Sequence, residues 1–387
     1  MTSFQEIKAR PIYRYLMVLT FAQAAAFLGW NALYTNFAVE VASLNGQQNG
    51  VVQSIRELPG LLSVSVIALL WLMRETTLTS LAVLVCGFGV IITGWFPTFE
   101  GQIIWTFILS SGFHWYEATN QSLTLQFFNT SEAPLAISRL RAVTAMGSFF
   151  MGIIILGLLL LADRIDYRWL FGLAGSIAVA AGLWSFFNKP STAGMAIQQR
   201  RMILRKRYWL FYVMTCLSGA RRQIFNVFAM FLLVAKFHFE LKHMILLLLV
   251  NNLVNWILNP YIGLAINAVG ERKLLTVKYM VVIMVCLAYV FCQQAWLAVV
   301  LYIIDQLLFC FTVSIRTYFQ KIADAADIAP SMAMGVTVNH IAAVAVPFIG
   351  GYLWMIDYRI PFLMGVVFAS ASLVMTFFIK TDWPAPK

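Results

Sequence analysis

Long apolar stretches of about 20 residues, separated by short polar breaks, run through the whole of this sequence. A stretch of that length is what an α-helix needs to cross the hydrocarbon core of a bilayer. Of the 387 residues, 61% are hydrophobic and 11% are charged, which excludes an ordinary soluble protein. The breaks predict about twelve spans, at residues 14–37, 49–72, 78–96, 102–127, 142–162, 168–187, 208–235, 243–266, 275–292, 296–318, 331–354 and 360–379.

Twelve helices use nearly all of the chain and leave no room for a soluble catalytic domain. We therefore expect an all-α membrane protein that is not an enzyme and needs no cofactor. The first apolar run lacks the features of a removable signal peptide, so we expect it to be retained. The five cysteines lie in apolar spans without a C-x-x-C pair, which favours buried, reduced thiols. No dense methionine ladder crosses a span, so we expect no metal site.

Lys and Arg residues are distributed unevenly between the two sides of the predicted membrane. The threading places nineteen of the 27 on the side of the N-terminus, five on the other side and three within spans. Lys278, near the start of the ninth span, is counted with the first group. By the positive-inside rule both termini are cytoplasmic. The run RRMILRKRY at Arg200 to Tyr208 fits an orientation signal, with binding of anionic lipid head groups or a partner as the alternative.

The longest polar break divides six spans from six. It predicts an N-terminal bundle at 1–187, a cytoplasmic basic linker at 188–207 and a C-terminal bundle at 208–387. An internal repeat supports this division, because Leu135 to Gly147 matches Ile328 to His340 at an offset of 193 residues. Both segments lie at the entry to the fifth span of their half.

The chain resembles the major facilitator superfamily in this organisation and in one loop. The family motif G-x-L-A-D-R-x-G-R-K is partly present in GLAINAVGERK. The matching residues are Gly263, Gly270, Arg272 and Lys273, whereas Asn267 and Ala268 replace the acid and the arginine. The counterpart in the first half, LLWLMRETTLTSL at Leu69 to Leu81, has lost both glycines. The resemblance implies two pseudo-symmetric six-helix bundles with alternating access, and a gating role for Gly263, Gly270 and Arg272.

Two adjacent arginines lie near the middle of the seventh span, in LSGARRQIFNVF. An arginine at that depth costs about 3 kcal/mol unless it meets a partner, water or a ligand. Because neighbouring residues on a helix diverge by about 100°, Arg221 and Arg222 are not expected to use one partner in the same way. Substrate binding by at least one of them and a purely structural ion pair both fit the sequence.

Few acids are available to these arginines. Glu57 lies in the second span, Glu117 in the fourth and Asp305 in the tenth. The resemblance places the fourth and tenth helices beside a central cavity. An anion at an arginine would release a nearby carboxylate and favour proton uptake, so we expect Glu117 and Asp305 to couple transport to protons. Permanent pairing that fixes helix register is the alternative.

Further polar residues are candidates for the cavity lining. His114 and Glu117 share one face of the fourth span, and we expect His114, Tyr116 and Asn120 to contact substrate; His114 fits a helix contact or a proton carrier equally well. Asn255 belongs to a stripe of asparagines in the eighth span. Asn339 and His340 favour hydrogen bonding between helices.

The second span carries the pair Arg56 and Glu57, followed by Pro59 and Gly60. Proline removes a helical hydrogen bond, so this segment is a candidate gate hinge. Alternatively, Arg56 only extends to the membrane interface.

The residues and the resemblance together predict a secondary active transporter of a small organic anion, coupled to protons or working by exchange. The absence of a phosphate-binding loop argues against ATP as the energy source. We expect it in a bacterial inner membrane, working as a monomer among lipids and without nucleic acid. The alternatives are efflux of amphiphilic drug-like compounds and a non-transporting or lipid-scrambling protein of the same fold.

Overall fold

The regular structure of this protein is helical throughout the part that the structure describes. The computed structural model describes Lys8 and residues 10–62, 64–128, 133–162, 165–190, 204–324 and 327–380. Helices satisfy every backbone polar group internally, as a bilayer interior requires, and the all-α prediction is confirmed. The α-helices are α1 (Pro11–Glu40), α2 (Gly46–Leu61), α3 (Val64–Leu72), α4 (Glu75–Thr93), α5 (Phe99–Phe127), α6 (Ala133–Leu161), α7 (Tyr167–Phe187), α8 (Trp209–Gln223), α9 (Met230–Ala235), α10 (Leu241–Val269), α11 (Glu271–Val290), α12 (Ala295–Cys310), α13 (Val313–Ile322), α14 (Ile328–Ile356) and α15 (Ile360–Thr376).

Each predicted span falls on one or more of these helices, and three spans are interrupted. The second span is divided between α2 and α3, where α2 ends two residues after Pro59. The tenth is divided between α12 and α13 at Phe311 and Thr312, whose N–H groups bond to carbonyls three residues earlier. The seventh contains a π-helix at Ile224–Ala229 between α8 and α9. Such wide turns often lie at functional sites.

Seven helical stretches among the described residues are long and apolar enough to cross a membrane, and two shorter apolar helices accompany them. The three predicted spans outside these sets are 49–72, 102–127 and 208–235. They are also the spans that carry Glu57, Glu117 and the two adjacent arginines. The number of twelve membrane crossings therefore stays a prediction. Glu57, Glu117, Arg221 and Arg222 lie on the spans that fall outside these two sets.

The chain forms two compact units, and each contains a short segment from the other half of the sequence. The first unit comprises Met1–Ser43, Leu58–Ile197 and Glu240–Leu249, and the second comprises Leu44–Glu57, Gln198–Phe239 and Val250–Lys387. The exchanged segments are the start of α2 and the start of α10. The separation of these two segments along the sequence is close to the 193-residue offset of the internal repeat. The boundaries of the two predicted bundles stay a prediction.

Close backbone contact between helices organises the first unit. A Cβ atom at Gly87 of α4 would lie 2.8 Å from the carbonyl oxygen of Gly175 on α7, so only glycine permits this crossing. Small residues play this role in membrane helix packing generally. The helix starts carry their own signals, since Thr98 caps α5 by accepting a hydrogen bond from the N–H group of Gly101 at 3.1 Å.

Aromatic side chains fill the end of the second unit that lies near the start of α8. Phe211 and Phe319 stack with ring centroids 4.1 Å apart, and Tyr208 meets Phe319 edge to face. All three side chains are buried. This cluster joins α8 to α13 and so fixes the helix that carries the two arginines.

Asp327, just before α14, anchors the segment that leads into α8. Arg205 contacts both of its carboxylate oxygens, at 2.6 and 2.8 Å, and the hydroxyl of Tyr208 donates to it at 2.9 Å. Burial by itself raises the pKa of Asp327, but the hydrogen bonds from Tyr208 and Arg205 lower that pKa below its ordinary value. One arginine of the basic run, Arg205, therefore has a structural partner.

Candidate functional site

The first of the two adjacent arginines is sealed inside the second unit. Arg221 of α8 donates from Nη1 to Oδ1 of Asp305 on α12, and the residues are 0% and 2% exposed. Its guanidinium carbon lies 5.7 Å from the ring centroid of Phe225 and 5.8 Å from that of Phe309. Carboxylate and aromatic faces thus compensate the charge. In this arrangement Arg221 has a protein partner and no exposed surface with which to contact a ligand.

Lys278 is a second buried cation of this unit, and it lies within a helix, whereas the count of charges between spans treated it as a loop residue. Its side chain lies within α11 and is 1% exposed, and its Nζ atom donates to Oγ1 of Thr312 at 2.8 Å. Asp305 attracts both Lys278 and Arg221. The turn between α12 and α13 supplies the hydroxyl partner, which explains how a lysine is accommodated in an apolar helix. Without Lys278, the predicted side of the N-terminus still carries the excess of Lys and Arg.

Arg222 differs from its neighbour because it is partly accessible. Its side chain is 30% exposed, and its Nη2 atom donates to Oδ1 of Asn339 on α14 at 3.2 Å. Asn339 is itself positioned by donating from Nδ2 to the carbonyl of Thr215 at 3.2 Å. The Nε atom of Arg222 is buried and has no hydrogen-bond partner among the described residues. The exposed part of the side chain therefore lies elsewhere than at Nε.

Glu57 lies beside Arg222 at the centre of a charged cluster. Its Oε1 atom accepts a hydrogen bond from Arg56 at 2.8 Å. Its Oε2 atom lies 3.2 Å from Nδ1 of His340 and 4.0 Å from Nη2 of Arg222. We call Arg56, Glu57, Arg222 and His340 the Glu57 cluster. All four belong to the second unit, and the cluster contains two permanent cations and one acid.

A tight seam between α2 and α14 brings Glu57 to this position. A Cβ atom at Gly351 would lie 2.8 Å from the carbonyl oxygen of Gly46 and 3.0 Å from Cα of Gly50. Further along, the hydroxyl of Ser54 donates to the carbonyl of Val344 at 2.7 Å. The seam thus begins with glycine contacts and ends at the pair formed by Glu57 and His340.

The predicted polar residues of α5 lie in the first unit. Nδ1 of His114 is 3.9 Å from Oε2 of Glu117, and the Glu117 side chain is 61% exposed. Oδ1 of Asn120 is buried and has no partner among the described residues. Tyr116 is 5% exposed and shares a 2.7 Å hydrogen bond with Thr20, so it joins α1 to α5 and offers little surface to a substrate.

The remaining predicted residues have more local roles or lie outside the description. Pro59 is buried within α2. Gly270 begins α11 with a φ of +85°, a conformation that favours glycine. The guanidinium carbon of Arg272 lies 6.0 Å from the ring centroid of Phe377. The side chain of Asn255 and the surroundings of Gly263 lie outside the described residues, although both positions are helical.

Sequence reasoning named Glu57 among the acids available to the two arginines but did not connect it with His340. Glu57, Arg222 and His340 lie on three helices that are far apart in sequence, and no motif links them. The polar pair Asn339 and His340 in an apolar span was the available signal, because polar groups within a membrane face partners or cavities. Only the fold shows that the partners are Arg222 and Glu57.

Comparison with known proteins identifies the family. Residues 19–345 match the model of the Major Facilitator Superfamily, which is most of the chain. No protein of curated function matches the sequence. The prediction that the chain is not an enzyme is confirmed by its membership of a family of transporters.

Several solved transporter structures share the fold at low sequence identity. A bacterial homologue of the iron transporter ferroportin in an inward-facing state has a TM-score of 0.77 at 11% identity, covering 96% of this chain and 99% of that one. The nucleoside transporter NupG has a TM-score of 0.75 at 14% identity, covering 95% and 98%. A bacterial homolog of the human lysosomal transporter Spinster has a TM-score of 0.71 at 12% identity, covering 96% of each chain. The chain belongs to the Major Facilitator Superfamily and is an integral membrane transporter.

Proposed function

We propose that this protein is a secondary transporter that carries a small organic anion, by proton coupling or exchange, and that Arg222 binds the negative group. The observation that carries the proposal is the partly exposed side chain of Arg222, in a helix that the sequence predicts to cross the membrane. A cation at that depth requires compensation. Its neighbour Arg221 is compensated by Asp305, whereas Arg222 has only an amide at hydrogen-bond distance and an acid at 4.0 Å.

The geometry of Arg222 suits a carboxylate or a phosphate. A guanidinium presents parallel N–H groups that match the two oxygens of such an anion. Asn339 occupies one Nη2 position, and Nε is buried. An anion would thus bond to the exposed part of the side chain. The net positive charge of the Glu57 cluster adds attraction for any anion.

The predicted proton-coupling acids are not equivalent in this proposal. Asp305 is sealed against Arg221, so we leave it out of the transport steps. Glu117 is exposed and lies beside His114, so it stays a candidate for exchanging protons with water. Tyr116 is left out of the binding surface because it is buried and already paired.

The proposal also covers the membrane in which the protein lies and the way in which it transports. The excess of Lys and Arg on one side favours cytoplasmic termini in the inner membrane of a bacterium. Alternating access of a single chain to the two sides follows from family membership and from the paired organisation of the sequence. We propose a working monomer among lipids, without a nucleic-acid partner.

A thermal-shift screen of the purified protein tests the anion assignment. The panel is lactate, benzoate, succinate, citrate and glucose 6-phosphate, and a ligand that binds the native state raises Tm. We expect at least one anion to stabilise the wild type. The shift should vanish in Arg222→Gln, persist in part in Arg222→Lys, and be unchanged in the control Arg359→Gln, which alters an exposed arginine at the start of α15.

Three results would overturn the assignment. Equal shifts in the wild type and Arg222→Gln would show that this arginine does not hold the anion. Stabilisation by cationic amphiphiles and by none of the anions would favour drug efflux. Lipid redistribution in liposomes without accumulation of any panel anion would favour a scrambling protein.

A further inference from the structure

The Glu57 cluster contains one group that can change charge near neutral pH and that the transport proposal does not use. Arg56 and Arg222 are cations at every physiological pH. Glu57 lies 2.8 Å from one guanidinium and 4.0 Å from the other, so its negative charge is compensated. Histidine is the residue type whose side-chain charge normally changes between pH 5 and 8, and His340 is the histidine of the cluster. Its Nδ1 atom lies 3.2 Å from Glu57, and its side chain is 12% exposed.

We propose that His340 takes up a proton when an anion binds at Arg222, so that one cluster binds the two together. This inference rests on the proposed function and adds the group that carries the proton. A hydronium ion of the surrounding water gives up the proton and becomes water, and the proton adds to the unprotonated ring nitrogen of the neutral imidazole. No other bond forms or breaks.

Charge balance links the two events. With neutral His340, the two arginines and one acid give the cluster a charge of plus one, and a proton on His340 would raise it to plus two in a medium of low dielectric constant. A bound monoanion removes the excess, after which protonation restores a single positive charge. Each ligand therefore favours the other, and the coupling is reciprocal.

A shared atom makes the coupling direct. Oε2 of Glu57 lies 4.0 Å from Nη2 of Arg222 and 3.2 Å from Nδ1 of His340. An anion that pairs with Arg222 withdraws that guanidinium from Glu57. The oxygen then has protonated His340 as its main partner. Binding at one end of the cluster thus strengthens an ion pair at the other.

Glu57 is the acid that the structure places against His340. The cations that face Glu57 are Arg56 from α2 and Arg222 from α8. The elements α15 and the π-helix also pack on α14, and neither contains a charged residue. The neighbouring Asn339 is polar and does not titrate.

The pH dependence of anion binding tests the proposal that His340 takes up a proton. The dissociation constant of each panel anion that binds is measured between pH 6 and 8.5. The proteins are the wild type, the variants His340→Gln, His340→Lys and Glu117→Gln, and the control His243→Gln. One linked proton changes the affinity by up to about tenfold per pH unit. We expect that slope in the wild type and in the control His243→Gln. We expect no slope in either His340 variant, and tight binding in His340→Lys, which fixes the positive charge.

Calorimetry of the wild type gives a second readout that needs no variant. Titrations in HEPES and in Tris at one pH yield the protons taken up per anion, and we expect a value approaching one above neutral pH. A value near zero overturns the inference. A slope that persists in His340→Gln and disappears in Glu117→Gln also overturns it, while anion binding at Arg222 stands. If the anions bind Arg222→Gln as well as the wild type, the proposed function itself fails.

Discussion

Oε2 of Glu57 lies 3.2 Å from Nδ1 of His340 and 4.0 Å from Nη2 of Arg222, so one carboxylate oxygen joins a residue of α2 to residues of α14 and α8. The three helices meet in the second unit, where the seam between α2 and α14 ends. This relationship gives Arg222 a partner that an anion can replace. It also separates Arg222 from Arg221, whose partner Asp305 is sealed away from solvent.

Glu57→Gln should strengthen anion binding. Glu57 competes with the anion for Arg222, and its removal also raises the positive charge of the cluster. We expect the dissociation constant of a bound panel anion to fall by roughly three- to tenfold, equivalent to about 1 kcal/mol. Titration calorimetry at pH 7 measures this, and weaker binding by Glu57→Gln would contradict a competing role for the carboxylate.

The pair formed by Arg221 and Asp305 should behave as a structural unit. Asp305→Leu leaves the buried charge of Arg221 uncompensated and should cost about 3–5 kcal/mol. Arg221→Met combined with Asp305→Leu removes both charges and should recover part of that loss, because Lys278 then keeps only its hydrogen bond to Thr312 as a described partner. Unfolding in mixed detergent micelles measures the free energies. Equal destabilisation by the double and single variants would argue that each residue has a separate role.

The seam between α2 and α14 should not tolerate a side chain at its glycines. Gly351→Ala would place a Cβ atom 2.8 Å from the carbonyl oxygen of Gly46, so the helices must separate or the protein loses stability. We expect a lower Tm than that of the wild type. Gly157→Ala is the matched control, because a Cβ atom there meets nothing within 4 Å. A similar Tm for both variants would show that the close contact is not required.

Asp327 should stabilise the protein in a pH-dependent way. Its folded-state pKa is lowered by Tyr208 and Arg205 against the effect of burial, so its contribution is complete above the ordinary carboxyl pKa and is lost as pH falls through the lowered value. The Tm difference between the wild type and Asp327→Asn should be constant from pH 5 to 8 and narrow below about pH 4. Asp324→Asn, which removes an exposed partner of Arg207, should lower Tm less at neutral pH. A difference that grows in acid would reverse the assigned direction.

The positions of the helices could be predicted from the sequence because hydrophobic length is a local property. The three interruptions could not all be found in this way. Pro59 marks the one near the end of α2, whereas the π-helix after Gln223 follows no proline or glycine. A turn of that kind depends on how α8 packs against its neighbours, and propensity alone does not encode it.

The site was predictable only in part for a related reason. The cost of charge in a bilayer identified Arg221, Arg222 and Asp305 as residues that need partners, and the first and third pair with each other. The partners of Arg222 depend on tertiary contacts between α8, α14 and the start of α2. The burial of Lys278 was missed because its position near the start of the ninth span resembles that of a loop charge. Its burial depends on the turn that presents Thr312.

Accumulation of a panel anion in proteoliposomes tests the central claim that Arg222 forms the anion site of a secondary transporter. The wild type and Arg222→Gln are reconstituted at equal density, and uptake of the anion with the largest thermal shift is measured with and without an imposed proton gradient. Exchange against the same anion loaded inside covers the case without proton coupling. We predict accumulation or exchange by the wild type and a loss of at least tenfold in Arg222→Gln. Equal uptake by both proteins would contradict the claim.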